Sequence, residues 1–260
     1  MINQNNAKNI RPPAVASMFY PVGAAELRKA VQNYLSNAGT EEDVSQFKKE
    51  EFAELRTLIV PHAGYIYSGK IAASAYRLLE QNKNQFKRVL LLGPAHRVLL
   101  EGAAFPEKDA FETPLGEITL DKELIEKILA EFSWISVSDK AHAEEHCLEV
   151  QLPFLQETLG EFKLLPLVVG DAKTELLAAL IQQFSKDHET LIVISTDLSH
   201  FHDYETAWEI DGRTANAIEL LEQNRISTED ACGAYPLRGA LLAASQNQWK
   251  VHRLGLCNSG

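Results

Sequence analysis

The chain has 260 residues, 45% hydrophobic and 23% charged, which suits one soluble globular domain spanning residues 1–260. Its net charge of −11 repels phosphate backbones and anionic lipid, and basic pairs such as Lys48-Lys49 and Lys87-Arg88 are too short to overcome it, so nucleic-acid binding is not expected. Three cysteines make no disulfide framework, the polar N-terminus lacks a signal-peptide core and no apolar run approaches ~18 residues, so a cytoplasmic protein with no membrane span is expected.

Residues 1–16 read as an irregular arm, because Pro12-Pro13 disfavours helix, and Ser17 to Pro21 as an aromatic loop. Leu27, Val31 and Leu35 recur at helical spacing, which predicts a helix from Ala24 to Leu35. A polar connection (Asn37 to Glu51) leads to a buried strand from Thr57 to Val60. Ser68-Gly69 opens a helix running to Glu80, and Arg88 to Gly93 is a second buried strand. Pro106 and Pro114 make Phe105 to Gly116 loop-like. Asp121 is placed to cap a helix to Phe132, and a further helix is expected from Leu148 to Leu159. Then come a strand (Lys163 to Val169), a helix (Thr174 to Lys186), a strand (Leu191 to Ser195) and a long helix (Tyr204 to Gln223). Ser227 to Asp230 looks like a capped helix start, Pro236 to Ser245 a helix and Val251 to Leu256 a last strand. This alternation predicts the α/β class, with a central, largely buried sheet flanked by helices.

Three of the eight histidines fall just after predicted strands: His62 in VPHAGYIYSG, His96 in LLLGPAHR and His200 in VISTDLSHFH. Loops after the carboxyl ends of strands converge on one crevice in such sheets, so these imidazoles are candidates for a metal or acid–base site. Asp197 is placed to orient His200 by accepting its second N–H. In AHAEEHCLEVQLPF, Glu145, His146 and Glu149 are further candidates; on a helix, His146 and Glu149 share a face and could support metal ligands from behind. Cys232, in DACGAYP, is by itself either a thiolate at a helix start or a small buried hydrophobe. No G-x-S-x-G elbow, P-loop or dinucleotide fingerprint is present.

PHAGYIYSG, LGPAHR, FETPLGEI, EEHCLEVQLPFL, STDLSHF and ACGAYP stand in the order and rough spacing of the Memo family, called AmmeMemoRadiSam system protein B in bacteria and archaea. The resemblance runs from RPPAVASMFYP to NSG, essentially the whole chain. It implies a fold similar to the class III extradiol ring-cleavage dioxygenases, which hold non-heme Fe(II) with two histidines and a glutamate. On that resemblance, His62 and His96 match the two metal histidines and Cys232 takes the place of the carboxylate. His200, with Asp197 beside it, matches an additional pocket histidine, as general acid/base or fourth ligand. Ala234-Tyr235 departs from the histidine or basic residue that the family often carries after the cysteine. A thiolate in place of a hard carboxylate shifts the preference toward softer or redox-active metals such as copper(I), iron or zinc, and iron or copper is expected before zinc.

The expected function is therefore that of a metal-dependent, dioxygenase-like redox enzyme acting on a small-molecule or protein substrate. The family name implies a pathway link to radical SAM and AMMECR-type proteins. Two alternatives are a non-catalytic module that recognises a small molecule or peptide, and a zinc hydrolase with Glu145 or Glu149 as base.

Overall fold

The runs Val89-Leu90-Leu91-Leu92, Leu167-Val168-Val169 and Leu191-Ile192-Val193-Ile194 are apolar on both faces and buried on both. Such runs suit strands covered by helices on two sides, and they form the middle of the sheet. The computed structural model describes residues 8–38, 55–82 and 85–259. Its strands are β1 (Ile10–Arg11), β2 (Thr57–Val60), β3 (Arg88–Pro94), β4 (Ala103–Phe105), β5 (Ala110–Thr113), β6 (Gly116–Thr119), β7 (Ile135–Val137), β8 (Lys163–Val169) and β9 (Thr190–Ser195). Its α-helices are α1 (Ala24–Asn37), α2 (Tyr65–Tyr76), α3 (Lys122–Glu131), α4 (Asp139–Ala143), α5 (Leu152–Leu159), α6 (Thr174–Gln183), α7 (Tyr204–Glu219) and α8 (Ala234–Gln246).

The main sheet has six strands in the order β2-β9-β3-β8-β4-β7, and a smaller sheet has the order β1-β5-β6. Strands β2, β9, β3 and β8 are parallel, while β4 runs antiparallel to β8, so the sheet is mixed. This is the α/β arrangement with helix-flanked sheet that the sequence predicts. Because β2, β9 and β3 are adjacent and parallel, the loops after Val60, Ser195 and Pro94 emerge at one edge. No helix among the described residues is long and apolar enough to cross a membrane.

Several expectations are corrected. Phe105 to Gly116 is not a loop: Phe105 ends β4, and β5 and β6 form a hairpin in register Thr113 to Gly116. Pro106 follows a strand and Pro114 sits in the two-residue turn, so neither removes a ladder hydrogen bond. Helix α2 begins at Tyr65, one turn before Ser68, because the Tyr65 N–H is satisfied by the Phe19 carbonyl at 2.8 Å. Asp121 stands at the N-cap position of α3 but makes no cap bond. Its carboxylate instead accepts from Arg88 Nε at 2.8 Å and lies 3.6 Å from Lys163 Nζ, tying the starts of β3 and β8 together. Glu149 to Gln151 is a 3-10 turn, and only Leu152–Leu159 is α-helical, with Pro153 in the first turn where no N–H is needed. Ser227 to Asp230 is a turn closed by its own side chains. Val251 to Leu256 is irregular and pairs with no described strand. The short β7 and α4 had no clear periodicity to reveal them. Residues 1–7 of the expected arm, and 39–51 of the expected connection, lie outside the described residues.

The described part of the arm is ordered by a buried ion pair. Arg11 Nη1 donates to Glu149 Oε2 at 2.6 Å, with both side chains almost wholly enclosed. Its other nitrogens donate to the carbonyls of His142 and Glu145, each at 2.7 Å. Glu149 also accepts from the Ala14 and Val15 N–H groups and the Tyr20 hydroxyl. Arg11 thus fastens residues 142–149 to the body of the protein. Removing one partner of such a pair strands a buried charge. Arg11→Met is expected to lower unfolding free energy by ~3–5 kcal/mol in urea titrations. Arg28→Ala, which opens the more exposed Arg28–Glu157 pair, is expected to cost about 1 kcal/mol or less. Equal losses would show that the buried pair has no special role.

Candidate metal centre

The loop after β2 carries His62 and the loop after β3 carries His96, and their ring centroids are 5.2 Å apart. Cys232 comes from the turn before α8. Its sulfur lies 3.3 Å from His62 Nε2 and accepts a hydrogen bond from the Asp197 N–H at 3.3 Å. That turn is laced to the end of β9: the Cys232 N–H donates to the Asp197 carbonyl at 3.2 Å and the Gly233 N–H to Thr196 Oγ1 at 2.9 Å. Gly233 is required here, because a Cβ would come within 2.7 Å of the Thr196 Cβ. The nearest ligand atoms of His62, His96 and Cys232 all lie within 4.8 Å of one another.

Both imidazoles are held from behind. His62 Nδ1 lies 2.9 Å from Ser195 Oγ, and His96 Nδ1 donates to Glu145 Oε1 at 2.9 Å. The other oxygen of Glu145 accepts from the His96 N–H at 2.7 Å. Glu145 therefore fixes both the backbone and the ring of His96. The segment after Glu145 packs closely on β3: a Cβ on Gly93 would come within 2.6 Å of the Cys147 sulfur and 2.9 Å of Leu148 Cδ2.

The chain matches the model of the Memo-like protein family over residues 11–246. The chain belongs to the Memo family. A MEMO1 family protein of Methanobrevibacter smithii is 35% identical over 229 residues, covering 85% of this chain and 80% of the relative. One of Aquifex aeolicus is 38% identical over 225 residues, covering 85% and 77%. One of Sulfolobus acidocaldarius is 32% identical over 266 residues, covering 96% and 93%.

The remaining expected site residues of this Memo-family chain divide into those gathered at the cluster and one that is not. His146 joins it: its ring stacks on His96 at 4.7 Å and meets His62 edge-on at 5.3 Å. Its Nδ1 is 3.2 Å from Glu145 Oε1 but off the hydrogen-bonding direction. Asp197 stands between two histidines. One oxygen accepts from the His62 N–H at 2.7 Å; the other is 3.8 Å from His62 Nε2 and 3.9 Å from His200 Nε2. His200 lies on the outer side, with 42% of its side chain exposed. Glu149 does not support the cluster. The expected shared helical face with His146 fails because residues 144–148 form a turn, and Glu149 faces Arg11 and Tyr20 instead. Neither glutamate is open to act as a hydrolytic base. The Glu145 oxygens accept from His96 N–H and Nδ1–H and from the His146 and Cys147 N–H groups, and those of Glu149 are committed to the arm.

Two polar residues of the cluster went unmarked in the sequence: Ser195, at the end of an apolar strand, and Gln151, in the otherwise apolar run of VQLPFL. Both are completely buried. A polar side chain inside an apolar run was the available signal.

The electrostatics favour charged partners. Burial works against the Cys232 thiolate, but hydrogen bonds from His62 and His96 outweigh it and bring the thiol down to about 6. Burial likewise opposes charge on His96, and its bonds to Cys232 and Glu145 raise it to about 9. His62 is also raised: desolvation is its largest influence, but Asp197 and Cys232 together overcome it. Burial would raise Glu145, yet contacts with His146 and His96 hold it well below the usual carboxylate range. Cys147, in contrast, is pushed far up by burial. In the metal-free protein, carbamidomethylation of Cys232 is therefore expected to be half-maximal near pH 6, falling as acid protonates the thiolate. His96→Ala should move that midpoint upward. Peptide mass mapping separates Cys232 from the exposed Cys257 and the buried Cys147. A Cys232 midpoint at the ordinary thiol value would rule out the ion-paired cluster.

Proposed function

We propose that this chain is a metal-dependent redox enzyme in which His62, His96 and Cys232 hold iron or copper. The observation that carries this reading is the convergence of two imidazoles and a thiol within 4.8 Å, with the Nδ1 atom of each imidazole bonded elsewhere. Second partners of this kind orient histidine ligands and leave Nε2 for the ion. The donor set fits: two nitrogens of intermediate softness and one soft thiolate suit iron, copper or zinc rather than magnesium or calcium, and the redox reading selects iron or copper among these. When bound, such an ion supplies electron transfer and activation of a small molecule such as dioxygen.

The chain's own residues do the rest. Glu145 keeps His96 aimed at the centre and balances positive charge there. Asp197 stands between His62 and His200. His200, at the exposed side, meets the substrate and takes or gives its proton, and Asp197 stabilises the imidazolium that forms. Arg11 holds the segment that carries Glu145 and His146.

Acid protonates Cys232 and the histidines, so protons compete with the metal and affinity is expected to fall as pH drops from about 9 through about 6. Elemental analysis after anaerobic purification should find near-stoichiometric iron or copper, and little in His62→Ala or Cys232→Ser. His200→Ala should keep the metal while losing ~10²–10⁴-fold in turnover, read by an oxygen-uptake screen with catechols and other reductants. Wild-type metal content in both ligand variants, with unchanged circular dichroism, would reject the ligand set. Metal loss from His200→Ala equal to that from His62→Ala would make His200 a ligand instead.

A further inference from the structure

Behind His62 lies a closed chain of hydrogen bonds whose direction is settled by two backbone carbonyls. Gln151 Nε2 is 2.8 Å from the Pro61 carbonyl and 2.8 Å from Ser195 Oγ. A carbonyl can only accept, so the amide nitrogen of Gln151, not its oxygen, faces Pro61. The same nitrogen therefore donates to Ser195. The Gln151 oxygen, on its other side, accepts from the Tyr76 hydroxyl at 2.9 Å. Ser195 Oγ is 2.7 Å from the Cys147 carbonyl, which again can only accept, and Ser195 has one proton to give. Once that proton goes to Cys147, Ser195 can only accept from its third partner, His62 Nδ1, at 2.9 Å.

We infer that Ser195, held between Gln151 and the Cys147 carbonyl, fixes a proton on His62 Nδ1 and leaves Nε2 as the nitrogen presented to Cys232. Ser195 is a positioning residue: it acts through His62. The alternative tautomer would set two acceptors against each other, either at Ser195 and His62 or at Ser195 and Cys147, in a place closed to bulk solvent, because Tyr76, Gln151, Ser195 and Cys147 are all completely buried. The chain thus opposes the preference of imidazole in water, which carries its proton on Nε2. The hydrogen-bond order stands on these contacts alone; its consequence for metal binding rests on the proposed ligand role of His62.

Two measurements separate these parts. The first needs no metal. In a Cys232→Ser background, which removes the competing thiolate, long-range proton–nitrogen NMR correlations of the histidine rings at alkaline pH report the tautomer of His62, assigned by its loss in His62→Gln. The expected pattern is protonated Nδ1. Adding Ser195→Ala should move it toward protonated Nε2, and Ser195→Thr, which keeps the hydroxyl, should restore it. Protonated Nε2 in the protein with Ser195 intact overturns the inference, and that spectrum is informative even if a Ser195 variant fails to fold. The second measurement is zinc(II) affinity, by competition with a chromophoric chelator, in protein with Cys232 restored. Ser195→Ala should weaken it ~10–100-fold, the range seen when partners behind a metal-bound histidine are removed, with Ser195→Thr recovering most of the loss. Unchanged affinity in folded Ser195→Ala, where His62→Ala loses zinc, overturns the positioning role of Ser195; unchanged affinity in both variants rejects the ligand role of His62 instead. Zinc binding absent from the unaltered protein rejects the metal reading instead, and the tautomer assignment is then decided by the spectrum.

Discussion

Strand β9 lies between β2 and β3, and its register with them positions the rest of the site. Val60 pairs with Ser195, and Ile194 with Leu92. The strand is apolar on both faces, so a slip of one residue would merely exchange one aliphatic side chain for another along most of its length. At Ser195 the exchange would matter, because Ile194 would then meet Gln151, His62 and the Cys147 carbonyl. The polar residue at the strand end therefore pins a register that the hydrophobic pattern leaves loose. With it are set the positions of His62 on one neighbour, His96 on the other, and Asp197 just beyond.

The cluster gathers groups of opposite charge in a low-dielectric place. Glu145, Asp197 and Cys232 oppose His62 and His96, and each acidic group is held by backbone N–H groups as well as by an imidazole. Backbone donors cannot be protonated away or rotated out, so they make reliable partners for buried negative charge. That design allows a thiolate to exist beside two carboxylates. It also means that a cation entering the centre displaces protons more than it creates new charge.

The site's outline was legible in the sequence because strand ends can be found from apolar runs, and parallel strands deliver their ends to one edge. His62, His96 and Asp197 follow from that rule. Cys232 did not, since a single cysteine carries no spacing signal; it was reached through the six motifs that resemble the Memo family. Glu149 was misplaced because periodicity was read through a segment that turns before it coils, and one changed turn carries a side chain to the other side of the chain. The β5–β6 hairpin was missed because its prolines lie beside the strands, where they do no harm. The tertiary contact of Tyr65 with Phe19, which starts α2 early, has no local trace at all.

The distance along the chain between the paired groups has a consequence for how the protein comes into being. His62 and Cys232 are separated by 170 residues, and the second shares its turn with a helix that closes the domain. Closing so large a loop happens late and only as part of the general collapse, since its entropy must be offset by the packing of everything between. A nascent chain would present His62 and His96 long before the sulfur that completes the set. Under the proposed ligand set, an ion that needs all three groups would report finished folding, because its last ligand arrives with the turn before α8.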